Sequence, residues 1–366
     1  MARQLLFLPG PVTVAAAVLE AQARPMINHR GEAFAKLQRR ISDALRPIFG
    51  TSGDVVLLGS SGTGAMESVL TNCFSPGERL LSCAVGAFGK RFAAIGRRYG
   101  CEVEELETPT GDALDPQTLA ERLERDATRQ IAGVLLTQNE TSTGVACDMA
   151  ALAPILRRHG AVTLVDSISG LGASEFRMDE WGYDAVVTAS QKALAAPPGV
   201  AMVAMSARAW TRTSGAQAPR FYFDLHTARS CANDGQTPWT PPISILYALD
   251  VALERYHGGG ADAAYRRHAR FAALVRGALT RLGFTLVSHP GAHSPTVVAA
   301  YPPAGIEPKQ LLRALREKHG VVLAGGQGEL AGKIVRFGTM GEIVEAELLG
   351  AIEAIALELQ VTSGAA

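Results

Sequence analysis

The stretch DVVLLGSSGTGAMESVL, residues 54–70, is typical of a strand that passes through a glycine-rich turn into a helix. Such a turn leaves backbone N–H groups unpaired at the start of the helix, where the helix dipole is positive. The turn therefore favours an anion such as phosphate, although a glycine turn of this kind is about as often a purely structural connection.

The spacing of the glycines argues against two common nucleotide-binding motifs. After Gly62-x-Gly64, the third glycine of the dinucleotide fingerprint is replaced by Glu67, and no lysine follows as it does in a P-loop. An NAD-dependent oxidoreductase is therefore disfavoured.

On both sides of this turn, between residues 50 and 210, short apolar runs alternate with helical patterns. This alternation predicts an α/β fold with a mostly parallel sheet covered by helices on both faces. One predicted helix, DPQTLAERLERD, has Asp115 as its N-cap and Pro116 at its first position. The last two runs, DAVVTAS and GVAMVAMS, are separated by a short Pro-Pro-Gly link and predict an antiparallel pair.

The C-terminal part of the chain has a different pattern. Residues 211–242 lose the alternation, end in TPWTPP and predict a long irregular segment. Helices are then expected at about 243–257, 262–282 and 342–359, with strands at PTVVAAY and KIVRFGT. We expect an N-terminal segment at 1–20, a large domain at 21–255 and a smaller α+β domain at 256–366.

The composition limits the classes of partner. The formal net charge is zero, so neither nucleic acid nor a membrane surface is favoured. The five cysteines form no C-x-x-C pair and have no histidine at metal-ligand spacing, so we expect neither a metal site nor disulfides. Neither terminal sequence has the pattern of a secretion or organelle signal, which favours a cytoplasmic location.

Two residues beyond the turn could carry chemistry. Lys192 lies among small and apolar residues in ASQKALAAPPG, and burial would lower the pKa of its amine and make it a nucleophile for Schiff-base formation. Asp166 follows the apolar run VTLV at a strand end, where ligand crevices open in α/β sheets. Taken alone, the lysine could extend to the surface and the aspartate could cap a helix. Together with the phosphate turn, they form the ordered set expected of a pyridoxal-phosphate site.

Several motifs, in this order, resemble the class V aminotransferases, and most closely the alanine/serine–glyoxylate (or pyruvate) branch. They are LPGP, GSSGTGAME, NETSTGV, VDSISGLGA, ASQKALAAPPG, TPWTPP and GGQGELAGKIVRFGTMG. The resemblance implies the pyridoxal-phosphate-dependent transferase fold of type I, with a seven-stranded, mostly parallel sheet in the large domain. It also implies the cofactor pyridoxal 5′-phosphate and a homodimer whose active sites are shared across the interface.

The resemblance also implies roles for individual residues. Lys192 would hold the cofactor as a Schiff base and later move the substrate proton, and Asp166 would keep the pyridine nitrogen protonated. The phosphate would be bound by Ser61, Gly62, Thr63 and Gln191, and by Thr240 of the neighbouring subunit. The ring would contact Phe88, at a position where the family often has tryptophan, as well as Thr141 and Ile168.

Three further residues would contact the substrate. Arg336 is the candidate for binding the substrate carboxylate, because a guanidinium forms a bidentate pair with a carboxylate. Gly10 would bring its backbone close to the substrate. Arg30, in the cluster Asn28-His29-Arg30, could contact an acidic substrate tail or could simply be a surface arginine.

These residues predict an aminotransferase that moves an amino group from a small amino acid, of the alanine or serine type, to glyoxylate or pyruvate by a ping-pong mechanism. Aspartate, 2-aminoethylphosphonate and ureidoglycine remain alternative donors, and a lyase could use the same lysine and aspartate. A cysteine desulfurase is disfavoured because the stretch LAGGQGEL, residues 323–330, has no cysteine. A non-catalytic relative, such as a hydrogenase-associated chain, is disfavoured because Lys192, Asp166, Gln191 and Arg336 are all present.

Overall fold

The computed structural model describes residues 4–364, and the side chains of residues 4–360. Residues 1–3 and 365–366 lie outside this range. They are the outer ends of the predicted N-terminal segment and C-terminal domain, and they form part of the terminal sequences in which we looked for targeting signals.

The strands are β1 Leu5–Leu6, β2 Val55–Leu58, β3 Arg79–Ala84, β4 Glu102–Glu107, β5 Ile131–Thr137, β6 Asn139–Glu140, β7 Val145–Ala146, β8 Val162–Asp166, β9 Ala185–Ala189, β10 Ala201–Met205, β11 Thr285–Leu286, β12 Val297–Tyr301, β13 Val321–Val322, β14 Ala324–Gly325 and β15 Val335–Gly338. The helices are α1 Ala16–Ala21, α2 Glu32–Phe49, α3 Gly62–Cys73, α4 Ala87–Arg98, α5 Pro116–Glu124, α6 Met149–His159, α7 Met178–Trp181, α8 Ala207–Thr213, α9 Leu225–Asn233, α10 Ile243–Gly259, α11 Ala261–Arg281, α12 Pro308–His319 and α13 Glu345–Gly364. A short 3₁₀ helix covers Gly328–Leu330.

The large sheet has seven strands in the order β2-β10-β9-β8-β5-β3-β4. Strand β10 is antiparallel to both of its neighbours, and the other pairs are parallel. The predicted mostly parallel sheet and the antiparallel pair β9–β10 are therefore confirmed. Because the parallel strands end at the same edge, the turns that follow β2, β3, β5, β8 and β9 meet there.

Helices cover both faces of this sheet because its side chains alternate between two apolar cores. In β2, Val55 and Leu57 point into one core and Val56 and Leu58 into the other. The predicted helix cap is also confirmed, since the Asp115 carboxylate accepts hydrogen bonds from the N–H groups of Gln117 and Thr118.

The C-terminal part forms a separate core around an antiparallel sheet of the order β11-β12-β15-β14. The N-terminal segment joins this part, because β1 pairs in parallel with β13 and Phe7 lies in the same core. The chain then passes from Phe7 to Gly10 towards the large sheet. Gly338 must be a glycine for this path, since a Cβ there would lie 2.1 Å from the carbonyl oxygen of Leu8.

One sequence expectation was wrong in part. The segment 211–242 is not wholly irregular, because it contains the end of α8 and all of α9. Helix α9 is capped by Asp224 and buries only Leu225 and Ala228, so its apolar face is too narrow to produce a helical pattern in the sequence. Within the described range, we find no helix long and apolar enough to span a bilayer.

Candidate active site

The site lies at the carboxyl edge of the large sheet, and its central residue is Lys192 in the turn between β9 and β10. Ser190 makes this turn rigid: its N–H donates to Val200 O at 3.0 Å and its hydroxyl to Pro197 O at 2.6 Å. Ala195 adopts a positive φ of 52°, which an alanine rarely does. The backbone around Lys192 is therefore fixed by bonds that do not involve the lysine side chain.

The Lys192 amine lies against the N-terminal segment. Its Nζ donates to Pro9 O at 2.5 Å, and a Cβ on Gly10 would lie only 2.6 Å from Nζ. Burial lowers the pKa of this amine to about 8, against an ordinary value of 10.5. The negative charge of Asp166 opposes the shift, whereas the positive charges of Arg336 and Arg91 add to it. Part of the amine is therefore neutral near physiological pH, as a nucleophile requires.

Asp166 ends β8, the strand beside β9, and is 3% exposed. Burial raises the pKa of its carboxyl to about 7, and this effect outweighs the hydrogen bond that Oδ1 accepts from the N–H of Ile168 at 2.9 Å. The nearby Glu140 charge raises this pKa further, while Lys192 and Arg91 lower it. A buried carboxyl in this state gains by pairing with a protonated nitrogen.

The glycine-rich turn forms the predicted cradle at the start of α3. Ser61 is the N-cap residue, but its side chain makes no cap hydrogen bond. In the part of the chain that the structure describes, the N–H groups of Gly62 and Thr63 also have no hydrogen-bond acceptor. One hydroxyl and two N–H groups are thus available at the positive end of a helix.

Ile168 packs against this cradle, and Gln191 precedes Lys192 in the turn after β9. Ile168 packs so tightly against Gly62 that a Cβ there would lie 2.5 Å from Ile168 Cδ1. Gln191 buries its side-chain oxygen with no partner among the described residues. A phosphate accepts hydrogen bonds, so only the amide nitrogen of Gln191 could bind one.

Phe88 begins α4 at the neighbouring turn, where Arg91 and Glu140 hold it. The Arg91 guanidinium lies 4.5 Å from the centre of the Phe88 ring and donates to the Thr63 hydroxyl at 3.2 Å. Glu140 accepts from the N–H groups of Phe88 and Gly89 at 3.0 and 3.1 Å. It also accepts from the N–H and hydroxyl of Ser142. The aromatic ring is thereby fixed relative to the phosphate cradle.

Arg336 comes from β15 of the C-terminal sheet and is 5% exposed. Its Nη1 donates to Thr141 O at 3.0 Å, which ties β15 to the turn between β6 and β7, and its Nε donates to Gly325 O at 2.7 Å. Burial lowers the pKa of the guanidinium to about 10, so it remains charged at neutral pH. The Thr141 hydroxyl donates to Ser169 Oγ at 2.9 Å. Arg336 is thus a fixed positive charge close to Lys192.

Thr240 and Arg30 belong to a different neighbourhood. Arg30 donates to Gln236 Oε1, Thr237 O and Pro238 O, and so holds the segment that leads to TPWTPP. Thr240 is exposed and borders a cavity of about 30 Å³ that Gly59 also lines. The structure therefore places Arg30 as an anchor of this segment, and Thr240 beside the cavity that Gly59 lines at the end of β2.

Sequence reasoning missed Glu140, Arg91 and Gln327 as members of the site. Glu140 and Gln327 lie inside motifs that we quoted, NETSTGV and GGQGELAG, and Arg91 lies three residues after Phe88. An acid two residues before a serine, in a short polar turn after an apolar strand, was the available signal for Glu140. No sequence signal indicated that Gln327 would meet Arg336.

Comparison with known proteins extends these observations. The profile of the family described as aminotransferase class-V matches residues 16–337. The L-aspartate–glyoxylate aminotransferase of Paracoccus denitrificans is 34% identical over 373 residues, which cover 99% of this chain and 94% of that protein. The soluble hydrogenase 42 kDa subunit of Anabaena cylindrica is 34% identical over 359 residues, covering 97% and 94%.

Among solved structures, the alanine–glyoxylate aminotransferase from Nostoc sp. superposes with a TM-score of 0.93 at 29% identity. The superposition covers 98% of this chain and 96% of the Nostoc chain. The similarity therefore includes the N-terminal segment and both sheets that form the site.

Proposed function

The chain belongs to the class-V aminotransferase family, and from this premise we propose that it transfers the amino group of a small amino acid to a small 2-oxo acid. The proposed donor is of the alanine or serine type, and the proposed acceptor is glyoxylate or pyruvate. Family membership carries with it the fold of type I and the cofactor pyridoxal 5′-phosphate. Relatives named as glyoxylate aminotransferases support the acceptor.

The residues of the site fit this cofactor. Lys192 supplies a buried amine with a lowered pKa for covalent attachment, and Asp166 supplies a buried carboxyl able to pair with a protonated ring nitrogen. Ser61, Gly62 and Thr63 offer free donors for a phosphate at the start of α3. When bound, the cofactor supplies an electron sink that acidifies the Cα of an amino acid.

The observation that carries the proposal is the buried Lys192 amine, which lies against Pro9 O and whose pKa responds to the charges of both Asp166 and Arg336. Arg336 would hold the substrate carboxylate and so orient the Cα towards Lys192. Once freed from the cofactor, the amine would take the Cα proton and deliver it to C4′, the cofactor carbon to which the amine had been attached. Its pKa of about 8 suits both steps near neutral pH.

An activity assay with a panel of amino donors and 2-oxo acid acceptors tests this proposal. Alanine, serine, aspartate, 2-aminoethylphosphonate and ureidoglycine should each be paired with glyoxylate and pyruvate, and keto-acid formation followed. We expect the alanine or serine pairs with glyoxylate to be fastest and Lys192→Ala to be inactive. Release of ammonia or carbon dioxide without amino transfer would instead assign a lyase. Absence of any turnover with all pairs would favour a non-catalytic role, such as that of a hydrogenase subunit, as the Anabaena relative is named.

Arg30 bears on the alternative donor, aspartate. Three of its five N–H donors are bonded to oxygens of the 236–238 segment, so Arg30 serves as an anchor of that segment. This bonding pattern supports a donor without an acidic side chain. If Arg30→Ala lowers kcat/KM for aspartate but not for alanine, Arg30 contacts the substrate after all.

We also propose a homodimer in which Thr240 approaches the phosphate of the partner. An exposed aromatic surface supports this: Phe221 is 77% exposed and Tyr222 47%, and both pack on Trp239 beside Thr240. Large exposed aromatics clustered next to a ligand site are typical of an interface. Light scattering should give twice the chain mass, and Thr240→Val should weaken pyridoxal-phosphate binding. A monomer that binds the cofactor with unchanged affinity would contradict both parts.

A further inference from the structure

The hydrogen-bond donors of Arg336 are not all used by the protein. A guanidinium has five N–H donors, one on Nε and two on each terminal nitrogen. Nε donates to Gly325 O at 2.7 Å, and Nη1 donates to Thr141 O at 3.0 Å and to Gln327 Oε1 at 3.3 Å. Among the described residues, Nη2 has no acceptor. A carboxylate therefore finds only Nη2 fully free, whereas bidentate binding requires parallel N–H donors on two different nitrogens.

Gln327 supplies the missing donor. Arginine has no acceptor, so the atom of Gln327 that faces it must be the amide oxygen and not the nitrogen. The NH₂ group of Gln327 then points away from Nη1 and has no acceptor among the described residues. The amide nitrogen of Gln327 is held covalently about 2 Å from Oε1 of the same residue. Oε1 in turn accepts the hydrogen bond from Arg336 Nη1.

The surroundings of Gln327 leave room for a ligand. The residue is exposed and lines a cavity of about 460 Å³ together with Gly86, Ala87 and Ser142. Its position does not depend on Arg336 alone, because the neighbouring Glu329 accepts from Lys90 Nζ at 2.7 Å and joins the 3₁₀ helix to α4. Gln327 therefore lies on an anchored loop, where it lines this cavity and also accepts a hydrogen bond from Arg336.

We propose that Gln327 is a second residue that binds the substrate carboxylate, with its amide nitrogen donating to one carboxylate oxygen while Nη2 of Arg336 donates to the other. This inference rests on the proposed function, since it names a further residue of the same substrate site. It explains how Arg336 can bind a carboxylate at two points although its Nε and Nη1 donors are occupied. Gln327 is in this sense a specificity residue for substrates with a free α-carboxylate.

The test compares two variants of the same loop. Gln327→Met keeps the size of the side chain and removes the donor. Glu329→Gln removes the charge but keeps a side-chain oxygen that can accept from Lys90, so the loop stays anchored with Gln327 unchanged. Binding of ¹³C-labelled acetate to the holoenzyme, measured from its NMR line broadening, reports on the carboxylate site without turnover. Acetamide serves as the uncharged comparison.

We expect Gln327→Met to raise the Kd for acetate about tenfold, the range of one hydrogen bond to a charged group. Glu329→Gln should leave it within about twofold, and acetamide binding should not respond to either change. In steady-state assays, Gln327→Met should raise KM for glyoxylate by a similar factor with little change in kcat.

Three results would overturn the inference. An unchanged Kd in Gln327→Met would show that the amide makes no contact, and tighter binding would show that Gln327 competes with the carboxylate for Nη1. An equal loss in Glu329→Gln would show that Gln327 acts only through the loop. Because acetate binding needs no transamination, these outcomes are independent of whether the donor and acceptor are correctly assigned.

Discussion

Replacing Gly10 by alanine should disable Lys192 without replacing any catalytic residue. The new Cβ would lie 2.6 Å from Lys192 Nζ and 2.8 Å from both Cδ and Cε. Ordinary contacts begin near about 3.5 Å, so the amine has to retreat by about 0.9 Å. A misplacement of about 1 Å in a reacting group costs on the order of a hundredfold in rate. We therefore expect kcat/KM of Gly10→Ala to fall about a hundredfold.

The backbone effect of this substitution has to be separated from the contact with the lysine. Gly10 has a φ of 125°, which an alanine adopts only with strain of about 1–3 kcal/mol. Gly291→Ala is the matched control, because Gly291 has a φ of 88° and no atom near the position of a new Cβ. Both variants should lose stability in urea unfolding, but only Gly10→Ala should lose activity.

The assay is the half-reaction with alanine, together with the yield of cofactor attached to Lys192 after borohydride reduction. Gly10→Ala should show a slower half-reaction and less trapped cofactor, whereas Gly291→Ala should match the unmodified protein in both. If Gly10→Ala kept kcat/KM within about twofold, the close approach of Gly10 would not be what positions the lysine, and the reasoning would fail.

Four further predictions follow from the site. Attachment of pyridoxal 5′-phosphate, followed by absorbance, should accelerate as pH rises through about 8, because the neutral Lys192 amine is the nucleophile; an adduct in Lys192→Ala would contradict this. In Asp166→Asn that profile should move to lower pH, since the Asp166 charge raises the lysine pKa; a shift to higher pH would refute the assigned interaction. Arg336→Lys should lower kcat/KM by about ten- to a hundredfold with an unchanged cofactor Kd, and unchanged kinetics would remove Arg336 from the substrate site. Glu140→Gln should lower the free energy of unfolding in urea by about 1–3 kcal/mol, because the buried carboxylate accepts from four donors; wild-type stability would show that these bonds are dispensable.

In the cofactor-free protein, Asp166 should make the free energy of unfolding fall as pH rises. Most carboxylates in folded proteins have the opposite effect. The pKa of Asp166 is raised to about 7 in the folded chain, from 3.8, so folding favours the protonated form. The stabilising contribution is complete below about pH 4 and is lost as pH rises through 7. Cofactor binding should remove this loss at neutral pH, because a protonated ring nitrogen stabilises the charged form. Urea unfolding of both forms between pH 5 and 8 measures the difference, with Asp166→Asn as control.

Local patterns in the sequence were sufficient for the strands of the large sheet, the Asp115 cap and the antiparallel β9–β10 pair. Each of these depends on neighbouring residues: alternation or apolar runs set the strands, and an acid before a proline sets the helix start. Helix α9 was missed for the same reason, because only Leu225 and Ala228 are buried and a local pattern needs more than two positions. Its existence depends on the tertiary contacts that bury those two side chains.

The chemistry of the site is similarly divided. The sequence placed Lys192 and Asp166 in motifs whose neighbours explain why an amine and a carboxyl would be buried there. It could not show the contact of Gly10 with the lysine or the hydrogen bond between Gln327 and Arg336. Nor could it show that the Glu140 carboxylate accepts hydrogen bonds from the N–H groups at the start of α4. These contacts join residues that are far apart in the chain, and no short-range pattern records them.

The sequence by itself determined which side chains stand at the end of each strand. These side chains were enough to indicate the family and its cofactor. Tertiary structure alone decided how those groups affect each other. The pKa of Lys192 is set by burial and by Asp166, Arg336 and Arg91, which come from other parts of the chain. Desolvation and charge interactions depend on distance in space and not on separation in sequence, so only the folded chain turns an ordinary lysine into a reactive amine.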